Sequence, residues 1–262
     1  MLSVFLPTIR THLLEKWYST LELSCDRHEF EVVFCGPFTP PDSLICKENV
    51  SFIQDYGSPT RSAQLAAISC KGKFLYHAVD DILFNPGIVS NELDMVESNM
   101  ITAMRYVEGV DYGGVDLPIS YWYATNAYPG YSNVNPKWGI GVHFLMRRSL
   151  FVDYGGFNCD FEYLNHATHD LLFRLQANGI KYKTSNDVAS TADWMPGTSG
   201  DHAAIHYAQT THDDGLFRSL WHNYTDSRRE VKLDNWSDQK SVWGRRFNID
   251  NLEKKYEDLN HR

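Results

Sequence analysis

Apolar and polar positions along the chain alternate between a strand period and a helix period. Leu2 to Leu6 is a short apolar run closed by Pro7, the pattern of a buried strand. Leu13, Leu14, Trp17 and Leu21 then recur at helical spacing. Phe30 to Phe34 predicts a second strand, stopped by Cys35-Gly36-Pro37 and the turn-rich Thr39-Pro40-Pro41-Asp42, and Val50 to Ile53 predicts a third. Ser58-Pro59 supplies a cap and a proline suited to the first helical position, so an Ala-rich helix follows and ends near Gly72. Phe74 to Val79 reads as a fourth strand; Asp80-Asp81 comes next, and Asn85-Pro86 opens another helix. This strand-helix alternation predicts an α/β fold with a mostly parallel central sheet flanked by helices.

The second half is less regular. Met100 to Tyr106 and Gly141 to Arg147 have strand character, and between them lies a long polar-aromatic stretch with Tyr121-Trp122-Tyr123 and Lys137-Trp138-Gly139. A loop of that length and aromatic density is expected to be functional. Thr168 is expected to cap a helix carrying Leu171, Leu172 and Leu175, with Gly179 closing it. A Gly/Ser/His-rich loop is expected from about Asp187 to Ala203, then an amphipathic segment with Leu216, Phe217, Leu220 and Trp221. Ile249, Leu252, Tyr256 and Leu259 form a helical stripe that predicts a C-terminal helical extension over 225–262.

Composition narrows the function. The 262 residues carry 24 Lys and Arg against 33 Asp and Glu, a net charge of −9, which argues against general nucleic-acid binding. No apolar stretch is long enough for a membrane span. The start of the chain shows no signal-peptide pattern, so a cytoplasmic protein is expected. Five cysteines without a Cys-x-x-Cys pair are expected to be reduced, mostly buried thiols.

The sharpest local feature is Asp80-Asp81 directly after a buried strand. In open α/β sheets ligands bind beyond the carboxyl ends of the strands. Adjacent carboxylates there need a positive partner; a divalent cation with oxygen ligands supplies one and also accepts phosphate oxygens. A solvated turn with two acids is the alternative. Thr168-His169-Asp170 is a second candidate, strengthened by Tyr154-Gly155-Gly156-Phe157-Asn158 upstream and by the Asp-Leu-x-x-Arg-Leu pattern that Asp170 opens.

Taken in order, these pieces resemble glycosyltransferases of the GT-A fold, in particular the inverting family 2 group. Ser3 to Thr8 is similar to that family's first strand and nucleotide loop. Arg61-Ser-Ala-Gln-Leu-Ala-Ala and Lys71-Gly-Lys-Phe-Leu75 are similar to its Ala-rich helix and the strand leading to the acidic motif. Val79-Asp80-Asp81 occupies the Asp-x-Asp position, and Phe144 to Phe151, Gly155 to Asn158 and His169 to Leu175 match its acceptor-side strand, Gly-Gly-Phe turn and base-bearing helix. The resemblance covers about residues 2 to 185. Three positions depart from it: Val79 replaces the first acid, His169 replaces a glutamate, and the second strand ends in Phe34-Cys35-Gly36-Pro37 without the usual aspartate.

The resemblance implies a metal-dependent, inverting transfer of sugar from a nucleotide-sugar donor, a UDP-sugar by first expectation, to a carbohydrate or glycoconjugate hydroxyl. It implies a GT-A domain over 1–224, with a nucleotide half to about 110 and an acceptor half beyond. Asp81 would hold a divalent metal (Mn2+ or Mg2+), Asp80 would serve the donor ribose or support the metal, and Asp170 would be the base. Pro7, Thr8, Arg10 and Arg61 would line the nucleotide pocket. His202 and then His206 are candidate late metal or diphosphate ligands, and Trp138 and Trp122 candidate acceptor platforms, with core packing the alternative for the tryptophans. The rival functions are a catalytically silent carbohydrate-binding protein on the same fold and a nucleotidyltransferase-like diphosphate enzyme. The second is disfavoured because Pro7-Thr8-Ile9-Arg10 lacks a Gly-rich phosphate loop.

Overall fold

The computed structural model describes residues 1–108, 115–116, 123–192, 207–223 and 229–236. Four strands, β1 (Leu2–Pro7), β2 (Phe30–Gly36), β3 (Val50–Gln54) and β4 (Phe74–His77), lie in the order β3-β2-β1-β4 and pair in parallel. Alternation along β1 explains why both faces are covered: Phe5 enters one hydrophobic core, while Val4 and Leu6 enter the other. Helix α1 (Leu14–Ser24) buries Leu14, Trp17, Tyr18 and Leu21, the i, i+3, i+4, i+7 face expected from the sequence. A short α2 (Asp42–Ile45) precedes β3. Helix α3 (Pro59–Ser69) opens as expected: Pro59 takes the first position, and the Ser58 hydroxyl accepts the Arg61 N–H at 3.2 Å.

Beyond β4 the sheet becomes mixed. The order continues β4-β8-β6-β9-β5, with β5 (Ile82–Phe84), β6 (Met100–Glu108), β8 (Phe144–Arg147) and β9 (Lys181–Ala192); β7 (Val115–Asp116) pairs with β6. Strand β8 is antiparallel to both β4 and β6, and β9 is parallel to β6, so β9 runs in the same direction as the first four strands. Helices α4 (Ile88–Asp94), α5 (Ala124–Ala127), α6 (Arg148–Asp153) and α7 (Leu164–Ala177) complete the elements used below. The tight turn at Gly179 (φ +84°) joins α7 to β9.

Three expectations need correction. Thr168 does not cap α7 but lies inside it, its hydroxyl donating to Leu164 O at 2.8 Å. No side chain caps α7; the buried Asp213 carboxylate instead holds the segment leading into it, accepting the Glu162 N–H at 3.0 Å and also the Tyr163 N–H. The loop expected from Asp187 begins later, because residues through Ala192 belong to β9. Strand β4 stops at His77, short of Val79, and β5 follows the acids at once. The amphipathic segment with Phe217 and Trp221 is helical and buries both rings.

In the tail, residues 229–236 lie along the Gly155–Phe157 turn. Gln64 Nε2 donates to Leu233 O at 2.8 Å, and Asn235 Nδ2 to Phe157 O at 2.9 Å. Gly155 (φ +78°) makes that approach possible, since a Cβ there would stand 1.7 Å from Val231 O. The stripe from Ile249 to Leu259 and the expected boundary at 224/225 lie outside the described residues. Cys25, Cys35, Cys70 and Cys159 are buried free thiols and Cys46 is exposed. Among the described residues no helix is long and apolar enough to cross a membrane.

Candidate active site

The acid pair sits at the carboxyl edge of β4, directly beside the end of β1. Pro7 closes β1 opposite Cys35, and the Thr8 N–H donates to Cys35 O at 2.9 Å. This crossing explains the missing aspartate at the end of β2. A Cβ on Gly36 would stand 2.0 Å from Thr8 O, so only glycine lets the loop of residues 7–10 pass.

That loop folds around Asp80. Its Oδ2 accepts the Thr8 hydroxyl at 2.8 Å, the Arg10 N–H at 3.2 Å and the Ile9 N–H at 3.3 Å. Arg10 then bridges the pair: Nη2 binds Asp80 Oδ1, and Nη1 donates to Asp81 Oδ2 at 3.1 Å. From behind, Trp17 Nε1 donates to Val79 O at 2.8 Å, tying α1 to the peptide that precedes the acids. Burial alone would raise the Asp80 carboxyl, but Arg10 and the hydrogen bonds from Arg10 and Thr8 outweigh it and hold it below the ordinary carboxylate value. Asp80 is thus fixed as an anion, and Asp81 is its more exposed neighbour, with side chains 5% and 14% exposed.

Among the described residues one guanidinium, that of Arg10, bridges the two carboxylates. Hard carboxylate oxygen is the right donor for Mn2+ or Mg2+, so Asp81 fits as a ligand. Asp80, with its oxygens already occupied, fits only a supporting place. Among the described residues no group of three or more His, Cys, Asp and Glu is gathered as a metal cage. His202 and His206 lie outside the described residues, as does Trp122.

The sequence reading missed Asp55. This residue follows β3 as Asp80 follows β4, is buried, and donates its N–H to Gly36 O at 3.0 Å. Its carboxylate accepts the Gly57 N–H at 2.9 Å and Arg61 Nε at 3.0 Å. Arg61, in the first turn of α3, is therefore held next to the carboxyl end of β3. The same strand-end rule that singled out Asp80 would have found it.

Asp170 departs from its expected role. It is 0% exposed. Its Oδ2 accepts Arg174 Nε at 2.9 Å, and its Oδ1 accepts Trp221 Nε1 at 2.9 Å and an Arg229 guanidinium N–H. Arg174 also donates to Tyr154 O and Gly156 O, so the cluster joins α7, the Gly-Gly-Phe turn, the helical segment 207–223 and the tail. Burial pushes the Asp170 carboxyl upward, and Arg174 and Arg229 more than offset it. This enclosure makes Asp170 an anchor of the cluster and weighs against its expected role as the base. Beside it, burial lowers His169 to about 3, and its Nδ1 meets the Tyr128 hydroxyl. Trp138 is half-buried with its ring 5.5 Å from Phe173 and 6.1 Å from Trp221, so most of it serves the core.

No protein-family model matches the sequence, and no curated protein matches it. Solved structures do share the fold. The chain is similar to S. aureus TarS residues 1–349 in complex with UDP-GlcNAc, at 16% identity and a TM-score of 0.54, over 98% of this chain and 83% of that one. It is similar to the same TarS fragment in complex with UDP, at 17% identity and a TM-score of 0.53, over 84% and 70%. A longer TarS chain aligns at 16% identity and a TM-score of 0.54 over 81% of this chain, which spans only 40% of its length. TarS is a GT-A glycosyltransferase of family 2. The present chain has the GT-A arrangement that its sequence resemblance implied.

Proposed function

We propose that this protein is a glycosyltransferase that moves a sugar from a UDP-sugar to a hydroxyl of a carbohydrate or glycoconjugate, with inversion at the anomeric carbon. One observation carries the reading: the acid pair is wrapped by residues 7–10 at the carboxyl edge of a sheet whose fold matches TarS with UDP-GlcNAc over 98% of the chain. In the reaction the acceptor oxygen bonds to the anomeric carbon as the bond to the diphosphate oxygen breaks. The bond's electron pair leaves with the diphosphate, and the hydroxyl proton passes to a base. Pro7, Thr8 and Arg10 line the diphosphate side, and Arg61, oriented by Asp55, lines the nucleoside side. A divalent cation on Asp81 would offset charge on the departing diphosphate. Arg10 adds a positive group on the same side, and Asp80 holds the loop in shape. Asp170, midway along α7, anchors Arg174, Arg229 and Trp221 and takes no proton.

The enclosure of Asp170 favours a second reading, a protein that binds nucleotide-sugar and glycan without turnover, since its expected base is closed. Incubation with UDP-GlcNAc and other UDP-sugars, with manganese, separates the two. A transferase releases UDP, slowly to water and faster with its acceptor, and NMR of the product shows the inverted anomer. Tight binding of UDP-sugar with no UDP release under any condition supports the second reading. No binding of any nucleotide removes both.

A further inference from the structure

We infer that the amino-terminal end of the β4–β8 pair, around Lys71, Lys73, Arg147 and Arg148, docks the protein on a bilayer of anionic phospholipid. The acid pair, at the other end of β4, then points away from the lipid. The inference stands apart from the nucleotide-sugar reading and gives the molecule a second working surface.

Strand pairing gathers the four cations. Phe74 opens β4 opposite Arg147, the last residue of β8, and the Arg148 N–H donates to Lys73 O at 2.9 Å. Lys73 Nζ and the Arg147 guanidinium carbon stand 5.5 and 5.7 Å from the centre of the half-buried Phe74 ring, so one aromatic carries two cations. Lys71 and Lys73 are exposed, while Arg147 and Arg148 lay their stems on the surface and bury Nε without a hydrogen-bond partner. Elsewhere Arg27, Lys47, Lys181 and Lys183 each face a carboxylate; among the described residues none of these four does. The patch is thus positive on a chain with 33 acids against 24 bases. Glu31 lies beside Lys71, but its Oε1 accepts the Ser3 hydroxyl and the Lys71 and Gly72 N–H groups. Glu29 and Glu48 line a groove on the β2–β3 side of Lys71, so the positive stretch runs from there to β8.

Charge alone would admit any polyanion; the apolar groups favour lipid. An aromatic ring flanked by Lys and Arg suits a headgroup layer, the ring at the interface and the cations on phosphates. Met1, 51% exposed, adds an apolar side chain beside it, since the Lys73 N–H donates to Met1 O at 3.2 Å. Lys73 precedes β4 and Asp80 follows it, which places roughly 20 Å of strand-like chain between them. That exceeds the Debye length of about 8 Å, so the acid pair does not cancel the patch at physiological salt.

Co-sedimentation of the protein with vesicles tests this without any turnover. Vesicles of phosphatidylcholine mixed with phosphatidylglycerol are expected to bind it roughly tenfold or more tightly than phosphatidylcholine alone, and high salt should release it. Lys71→Gln combined with Lys73→Gln, both at exposed positions, should weaken that binding roughly tenfold. Arg147→Gln combined with Arg148→Gln should do the same from the β8 side. Lys16→Gln combined with Lys137→Gln removes as much charge from exposed positions elsewhere and should leave binding within about twofold. Equal binding to the two kinds of vesicle overturns the inference, as does equal weakening by the Lys16 and Lys137 pair. Capture of soluble polyphosphate through the same four residues, with no capture of vesicles, also overturns it and makes the patch a site for a soluble polyanion.

Discussion

Two aspartate clusters, Asp80–Asp81 after β4 and Asp170 within α7, are built differently. At Asp80–Asp81 one guanidinium serves two acids, much of the support comes from backbone N–H groups and a hydroxyl, and the pair reaches the surface. At Asp170 two guanidinium groups and an indole serve one acid, all three partners are side chains, and the carboxylate is wholly covered. The first arrangement leaves Asp81 partly exposed, while the second covers its carboxylate completely. A carboxylate's surroundings, more than its position in a motif, therefore separate a ligand-binding acid from an architectural one.

Asp170→Asn breaks the contrast hardest. It leaves Arg174 and Arg229 buried against each other without their anion, so the fold should lose about 3–5 kcal/mol, measured by urea unfolding. A loss below about 1 kcal/mol would show that the cluster is not an anchor. Arg229→Met leaves the neutral Asp170–Arg174 pair and should cost less, about 1.5–3 kcal/mol. If it cost as much as Asp170→Asn, Arg229 would be the true keystone.

Acid separates the two clusters next. His169, beside the anchor, is held neutral to about 3 against an ordinary 6.5, by burial first and the neighbouring His166 second. The unfolded chain takes up that proton below 6.5 and the folded chain does not, so stability falls as pH drops from about 6.5 towards 3. The slope is about 1.4 kcal/mol per pH unit for this one group. Asp80 is held below the ordinary 3.8, so its contribution is present above that value and is lost only as pH falls beneath it. The melting temperature should therefore fall as pH drops from 6 to 4.5, and His169→Phe should flatten that slope. Asp81→Asn has the smallest effect on folding, within about 1 kcal/mol, because Asp80 keeps Arg10 and its own donors. The same variant should bind UDP with manganese at least tenfold more weakly in calorimetry, an effect on the site without one on the fold.

The first half of the fold was legible because its strands are continuous apolar runs and Ser58-Pro59 marks the start of α3. Strand β9 was not, since Lys-Tyr-Lys-Thr-Ser-Asn-Asp along its first residues lacks the apolar run that marked the others; it is held instead by pairing with β6 and β5. The start of α7 was misplaced for a related reason: it has no side-chain cap, and the residues before it are held by Asp213, 50 residues downstream of Tyr163. The acid pair and the loop of Thr8 and Arg10 were readable from strand-end logic, but that Arg10 spans both acids was not. Asp170 shows the limit most clearly. Arg174 at i+4 is visible in the sequence, whereas Arg229, 59 residues away, closes the cluster only in three dimensions.

The most direct test is a crystal structure of the protein soaked with UDP and manganese. The diphosphate is expected in the cleft between residues 7–10 and the acid pair, with a manganese ion on Asp81 and with Asp170 still enclosed by Arg174, Arg229 and Trp221. Nucleotide bound elsewhere, or manganese settled on Asp170 and not on Asp81, would contradict it.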